Sequence, residues 1–196
     1  MDNKPSVKPE LPIIPFAMQS KWAEQLAKQH DKSPGVWLKL AKKDSGTSSG
    51  TITEALDVAL CYGWIDGQRL SFDEKYDLQK YTPRRPKSIW SKINVEKSEK
   101  LIQSKKMKPA GLKAIETAKK DGYWERACDS QKTATVPEDL QSELNKNRKA
   151  KACFATLNSV NRYAILFRIH NAKKAEMRTK RIQQFIEMLE KNRKFH

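Results

Sequence analysis

Hydrophobic and polar positions follow a strand-like spacing in the first half of the chain. The segment VWLKLAK at 36–42 alternates apolar and polar side chains, the period-two pattern of a half-buried strand. WIDGQRLSF at 64–72 and YDLQKYT at 76–82 have strand character and are separated only by DEK, which predicts a hairpin. Thr51 and Glu54 have the spacing of a capping box, so a helix is predicted to begin there. The first half is therefore predicted to combine helices with a small antiparallel sheet.

Helical spacing replaces the strand pattern after Pro86 and continues towards the C-terminus. Its clearest example places Ile182, Phe185, Ile186 and Leu189 at i, i+3, i+4 and i+7. Near the N-terminus, PIIPF can add only an edge strand, because proline has no N–H to donate to a ladder. These patterns predict an α+β fold in three parts: a flexible lead-in (1–12), a mixed α/β domain with an antiparallel sheet (13–94) and a helical module (95–196).

Charge is distributed unevenly along the chain, which has a formal net charge of +16. Residues 1–80 carry 11 Lys/Arg and 11 Asp/Glu, whereas residues 81–120 carry 12 against 3 and residues 121–196 carry 16 against 9. An excess of this kind indicates an anionic partner such as nucleic acid, a membrane surface or an acidic protein. The alternative is a lysine-rich surface that is simply solvated.

The cysteines and the apolar runs of the chain indicate its compartment and its need for cofactors. Cys61, Cys128 and Cys153 lie far apart and have no zinc-site spacing, so neither a metal nor a cofactor is predicted. The N-terminal residues contain no apolar core of a secretion signal. The longest apolar run, YAILF at 163–167, is far shorter than the roughly 18 residues that a membrane span needs. We therefore expect a cytoplasmic protein without a transmembrane segment.

Two basic segments are candidate contacts for an anionic partner. The first, YTPRRPKSIWSKIN at 81–94, offers Arg84, Arg85, Lys87 and Lys92 to phosphates and Trp90 to bases. Alternatively, its prolines stiffen a turn and Trp90 anchors the next helix in the core. The second segment, NAKKAEMRTKR at 171–181, places three cations on one helical face that suits phosphates or anionic lipid, or is simply solvated. These cations are Lys174, Arg178 and Arg181.

A carboxylate cleft is the alternative site, formed by Asp57, Asp66 and Trp64. Paired carboxylates can serve acid/base chemistry. However, no nucleophile or second acid accompanies Asp66 in the sequence, so a structural pairing of Asp66 with Arg84 or Arg85 is favoured over a general base. The histidines match no catalytic triad or metal motif. No catalytic residue is therefore assigned, and the sequence leans away from an enzyme.

Several segments carry a resemblance to a known family. TEALDVALCYGWIDGQ, YTPRRPKSIWSKIN, MKPAGL and the helical run that begins PEDLQSELNKN resemble the YdeI/OmpD-associated, or bacteriocin-protection, family. The resemblance extends from about Ser20 to Leu189. It implies an association with bacterial survival on exposure to cationic antimicrobial peptides. It also implies that the first half is similar to the YjbR and CyaY type of fold. It implies no reaction or catalytic set. Family descriptions sometimes propose a periplasmic location, which the N-terminal sequence here does not favour.

Net charge restricts how such a role can work. A protein of charge +16 repels a polycationic peptide at long range, so direct binding of that peptide is disfavoured. The leading hypothesis is a non-enzymatic binder of anionic partners, with nucleic acid favoured, acting in antimicrobial-peptide resistance. The alternatives are an enzyme of unknown reaction at the carboxylate cleft and an adaptor that docks an acidic protein through the helix near 172–190. The oligomeric state is not indicated.

Overall fold

The computed structural model describes residues 11–193, so most of the predicted lead-in lies outside the described residues. Its α+β class confirms the prediction. The strands are β1 (Ile13–Pro15), β2 (Val36–Ala41), β3 (Trp64–Ser71) and β4 (Tyr76–Pro83). The helices are α1 (Gln19–Gln29), α2 (Ile52–Cys61), α3 (Lys92–Gln103), α4 (Pro109–Lys120), α5 (Glu138–Lys146), α6 (Arg148–Thr156), α7 (Ser159–His170) and α8 (Ala175–Glu190).

The sheet has the strand order β1-β2-β4-β3 and is mixed rather than purely antiparallel. The predicted hairpin is present as β3 and β4, and β2 pairs antiparallel with β4. In contrast, β1 runs parallel to β2, with Ile13 opposite Trp37. As predicted for a segment bounded by prolines, β1 lies at an edge of the sheet. A three-residue strand carries no sequence signal for its direction, which is why only this pairing was missed.

The capping box at the start of α2 is formed as predicted. The Thr51 hydroxyl accepts a hydrogen bond from the backbone N–H of Glu54 at 3.2 Å. In return, the Glu54 carboxylate accepts one from the backbone N–H of Thr51 at 2.7 Å. Two N–H groups that helix geometry leaves without a partner are thereby satisfied.

The chain divides into two compact units. Within the described residues, unit 1 comprises 11–90 together with Asn94–Arg126, and unit 2 comprises Ser91–Ile93 together with 127–193. This division differs from the boundary predicted at residue 94, because the whole of α4 and most of α3 belong to unit 1. The packing of α4 against α2 accounts for the difference, since it depends on long-range contacts that helical spacing alone does not reveal.

Unit 1 has a core rich in aromatic side chains between the sheet and the helices α1 and α2. Trp22 packs edge-on against Trp64, with ring centroids 6.0 Å apart, and also contacts Tyr81 at 5.8 Å. Both indole N–H groups are satisfied by backbone carbonyls: Trp22 donates to Ala55 and Trp64 donates to His30. Buried aromatic rings with paired polar atoms hold the end of the hairpin in a defined position.

Unit 2 has a separate core formed by its helices α5 to α8. The predicted apolar face of α8 is confirmed, since its four residues are all buried there. They pack with buried residues from the three preceding helices, which include Leu140, Leu144, Phe154, Ile165 and Ile169. Each unit therefore has a hydrophobic core of its own.

Candidate anion-binding cavity

A tight turn in unit 1 carries the cations of the segment 81–94. The backbone N–H of Ser88 donates to the carbonyl of Arg85 at 3.0 Å, and the N–H of Arg85 donates to the Ser88 hydroxyl at 2.9 Å. Pro86 occupies the second position, and Lys87 occupies the third with φ of 66°. This is the pattern of a type II turn, in which the third residue is usually glycine. Lys87 therefore holds a strained backbone conformation that the local hydrogen bonds maintain.

Helix α4 lies opposite this turn and presents small side chains to it. Ala110, Ala114 and Ala118 follow one another on a single face of the helix. Gly63 permits the close approach of α4, since a Cβ there would lie 2.8 Å from the carbonyl oxygen of Ala110. The Gly63 carbonyl also accepts a hydrogen bond from the backbone N–H of Arg84 at 2.9 Å. Gly63 therefore contacts both the segment that carries Arg84 and helix α4, which form two sides of one recess.

The turn and α4 enclose a cavity of about 210 Å³ within unit 1. Its polar lining is strongly cationic: Arg84, Arg85 and Lys87 come from the turn, and Lys113 comes from α4. None of the described residues that line it carries a carboxylate. The rest of the lining consists of Gly63, Pro86, Ser88, Trp90, Ala110, Ala114, Thr117, Ala118 and Tyr123. A recess of this composition attracts anions, because low-dielectric walls focus the field of the cations.

Arg84 is the most deeply placed of these cations. Its guanidinium carbon lies 3.5 Å from the ring centroid of Trp90, and its Nη1 donates to the carbonyl of Ile89 at 3.3 Å. Among the described residues, its buried Nε and Nη2 atoms have no hydrogen-bond partner. Burial lowers the pKa of Arg84 to about 9, and the nearby Asp66 carboxylate opposes that shift only in part. The Arg84 charge is therefore incompletely compensated by the protein.

Trp90 acts as a wall of the cavity and not as an exposed platform for bases. It is 3% exposed, and its ring lies 4.9 Å from that of Trp124, centroid to centroid. One face is occupied by the Arg84 guanidinium, a cation–π contact that orients the arginine. Of the two interpretations drawn from the sequence, the core anchor agrees with this placement. Base stacking on Trp90 does not, because the ring has almost no free surface.

The predicted carboxylate cleft is not assembled around this cavity. Asp57 forms a salt bridge with Lys97 at 2.6 Å, and Trp64 is 1% exposed in the core of unit 1. Burial raises the pKa of Asp66, although the charge of Arg84 acts in the opposite direction. No salt bridge joins Asp66 to Arg84 or Arg85 within the described residues, so the predicted direct pairing is replaced by a longer-range attraction.

Most of the other predicted anion contacts are cations of unit 2 that already have protein partners. Lys92 forms a salt bridge with Asp129 at 2.8 Å. Arg178 grips Asp139 with Nε and Nη2, and its Nη1 donates to the carbonyl of Ile169. The three cations predicted on one face of the last helix, Lys174, Arg178 and Arg181, therefore do not form a free basic stripe. Arg178 instead stabilises the internal structure of unit 2.

The two other members of that stripe differ from each other in their surroundings. Arg181 is half-buried and donates from Nη1 to the backbone carbonyl of Arg168. Lys174 is exposed at the position that precedes α8. Consequently Lys174 is the one member of the predicted stripe that the structure leaves on an open surface.

Sequence reasoning missed Lys113, the cation that α4 contributes to the cavity. Its spacing from Ala110 and Thr117 places the three residues on one helical face, and that signal is visible in the sequence. What the spacing cannot show is that this face lies opposite the turn at 85–88. A lysine flanked by small residues on one face of a helix is the sequence signal that would have identified Lys113 as a candidate.

Neither a metal centre nor a membrane span is found in the part of the chain that the structure describes. Within residues 11–193, no group of three or more His, Cys, Asp or Glu side chains is arranged to hold a metal ion. None of the helices there combines the length and the apolar character that crossing a membrane requires.

These features define a class: an α+β protein of two compact units, one of which carries a basic cavity. Residues 14–114 match the model described as a domain of unknown function, DUF8412, and residues 133–192 match the model described as Bacteriocin-protection, YdeI or OmpD-Associated. The chain belongs to the DUF8412 family over its first half and carries the YdeI/OmpD-associated domain in its C-terminal part. No curated protein and no solved structure matches it.

The family matches relate to the sequence predictions in two ways. The resemblance to the bacteriocin-protection family is confirmed by the match over 133–192. The likeness of the first half to the YjbR and CyaY type stays a prediction. Three of the segments that carried the resemblance contribute to one cavity. TEALDVALCYGWIDGQ contributes Gly63, YTPRRPKSIWSKIN contributes residues within 84–90, and MKPAGL contributes Ala110.

Proposed function

We propose that this protein is a non-enzymatic binder of anionic partners, with nucleic acid favoured, and that the cavity between the turn and α4 is its contact site. The observation that carries the proposal is the lining: four cationic residues line one cavity, and none of the described lining residues is acidic. This differs from a solvated basic surface, in which cations point apart and are interspersed with carboxylates.

The burial and incomplete hydrogen bonding of Arg84 provide an energetic reason for anion binding. A buried guanidinium with a lowered pKa and two nitrogen atoms without partners is costly to keep charged. An anion bound in the cavity would stabilise that charge across a low-dielectric path. Arg85, Lys87 and Lys113 are exposed and would attract the anion from solution. Affinity should therefore depend strongly on salt.

The C-terminal domain sets the biological context of the proposal. A match to the bacteriocin-protection model implies an association with resistance to bacteriocins. Because the chain carries a net charge of +16, we infer an indirect role through an anionic partner and not capture of a cationic peptide. We place this role in the cytoplasm, where the three buried free cysteines suit a reducing compartment.

An enzyme centred on Asp66 is the second candidate function. The raised pKa of this half-buried carboxyl favours it, since such shifts are common at catalytic sites. However, Asp57 is held by Lys97 and Trp64 is buried in the core, so neither is positioned to assist. The third candidate, an adaptor for an acidic protein, predicts a partner that persists after nuclease treatment.

The test is a titration of nuclease-treated protein into labelled single- and double-stranded nucleic acid between about 50 and 200 mM salt. Arg85→Ala combined with Lys87→Ala removes two cations from the cavity. Lys100→Ala combined with Lys106→Ala removes two exposed cations of unit 1 that do not line it. The cavity variant should bind more weakly and lower the log–log salt slope by roughly 0.9 for each lost contact to duplex DNA. Equal losses in both variants would refute the site, and no binding by wild type would refute the function.

A further inference from the structure

We infer that the cavity takes the terminal phosphate of a ligand, a phosphomonoester, and not an internal stretch of phosphodiesters. This inference rests on the proposed anion-binding function and names the ligand class of the same site. It is drawn from the size of the recess, the cationic residues that line it, and the partners that other cations already have.

The cavity is too small for a whole ligand of ordinary size and fits one end of it. Its volume is about 210 Å³, whereas pockets that enclose a complete small molecule are roughly 300–1,000 Å³. Apolar groups close its inner side, since Trp90 and Ala118 are 3% and 6% exposed and Gly63 contacts α4. An internal phosphodiester continues in two directions and needs a groove that is open at both ends. A terminal phosphate continues in one direction and can enter a recess that is open to solvent and blocked only on its inner side.

The charge of the recess suits a dianion. A phosphomonoester carries about −1.5 to −2 charges at pH 7, because its second pKa is about 6. A phosphodiester carries a single negative charge. Arg84, Arg85, Lys87 and Lys113 line one small recess in which none of the described lining residues is acidic. A dianion gains more than a monoanion from a recess lined by several cations.

The recess also offers a hydroxyl donor. The Ser88 Oγ accepts a hydrogen bond from the backbone N–H of Arg85, and Ser88 lines the cavity. Since that bond uses an oxygen lone pair, the hydroxyl proton of Ser88 remains able to donate to a phosphate oxygen. A terminal phosphate presents three acceptor oxygens to such donors, one more than the two free oxygens of a phosphodiester.

The basic face proposed on the last helix does not provide an extended track for a nucleic-acid backbone. Arg178 is committed to Asp139, and Arg181 donates to the carbonyl of Arg168. Lys92, at the end of the basic segment, is paired with Asp129. Lys174 alone remains exposed on that face, whereas four cationic residues line one recess of unit 1.

The experiment compares ligands that differ only at the end group. Two labelled single-stranded oligonucleotides of one sequence, with a 5′-hydroxyl or a 5′-phosphate, are titrated into the full-length chain at fixed salt. Adenosine 5′-monophosphate and inorganic phosphate are then used as competitors, to separate a phosphorylated chain end from a nucleotide or the free ion. The variants are Lys113→Ala and Lys120→Ala, since both lysines are exposed on α4 but only Lys113 lines the cavity.

A terminal-phosphate site predicts at least about tenfold tighter binding of the 5′-phosphorylated strand, because one charge-assisted hydrogen bond already contributes that much. Lys113→Ala should remove most of this preference, and Lys120→Ala should keep it. Equal binding of both strands, weakened by Lys113→Ala alone, would overturn the inference while the proposed anion binding stands. Failure to bind either strand, the nucleotide or phosphate would overturn both.

Discussion

Replacing Gly111 by alanine should destabilise unit 1, although the same change stabilises most helices. Gly111 lies in α4, where it faces the C-terminal end of α2. A Cβ at this position would lie 2.8 Å from the carbonyl oxygen of Leu60, and nearer still to the carbonyl oxygen of Cys61 and the sulfur of Met107. Real Cβ atoms essentially never approach another atom within 3.0 Å. Two of these three atoms belong to the backbone and cannot rotate away.

The size of the effect is the difference between two opposing terms. Alanine gains about 1 kcal/mol of helix propensity over glycine. Overpacking costs about 1–3 kcal/mol, and immovable backbone atoms place this site near the upper end. The net loss of unfolding free energy is therefore about 2 kcal/mol. For a urea dependence of about 1–3 kcal/mol per molar, the unfolding midpoint should fall by about 1 M.

Tryptophan fluorescence is the appropriate assay, because every tryptophan of the chain lies in unit 1. The chain has five tryptophans, all in unit 1: Trp22, Trp37, Trp64, Trp90 and Trp124. Gly67→Ala is the matched control, since its Cβ would meet only Lys80, at 3.8 Å. Its stability should change by no more than about 0.5 kcal/mol. A Gly111→Ala midpoint equal to or above that of the wild type would refute the close packing of α4 against α2.

Three further predictions concern both units. Ile165→Ala should cost unit 2 about 2–5 kcal/mol, because this side chain is fully buried, and an unchanged unfolding midpoint by circular dichroism would contradict that burial. Thr51→Ala should cost unit 1 about 1 kcal/mol through loss of the capping box with Glu54, and an unchanged fluorescence midpoint would contradict that role. Hydrogen bonds from Arg178 lower the pKa of Asp139, so their stabilisation is complete above the ordinary carboxyl pKa of about 3.9 and is lost as pH falls through the lowered value. Arg178→Ala should therefore reduce the loss of unit 2 stability on acidification, measured by circular dichroism in urea; an unchanged pH profile would contradict the pairing.

Local patterns account for the parts of the fold that the sequence predicted correctly. The capping box of Thr51 and Glu54, the hairpin of β3 and β4, and the apolar face of α8 each depend on residues close in sequence. The parallel direction of β1 depends on a distant strand, and α4 joins unit 1 through packing against α2. Spacing along the chain carries no information about such contacts.

The candidate site was predictable in composition but not in geometry. The basic turn was identified from Arg84, Arg85 and Lys87, because prolines and cations in one short segment are visible in the sequence. Lys113 lies more than twenty residues away and joins them only through the packing of α4. Conversely, Arg178 was expected to contact an anion, but it is held by Asp139, a partner 39 residues away in sequence. Charge patterns reveal which cations exist and do not reveal which are already paired.

The segment Ser91–Ile93 has a consequence for the order in which the protein forms during synthesis. It belongs to unit 2, where Ser91 forms a parallel bridge with Cys128, although it interrupts the sequence of unit 1. Unit 1 is therefore incomplete until Arg126 has been synthesised. A nascent chain that has emerged only as far as the basic turn contains three of the four cations but no α4 to form the opposite wall. We expect the ability to bind an anion in the cavity to arise only once α4 has been synthesised, after all four strands of the sheet.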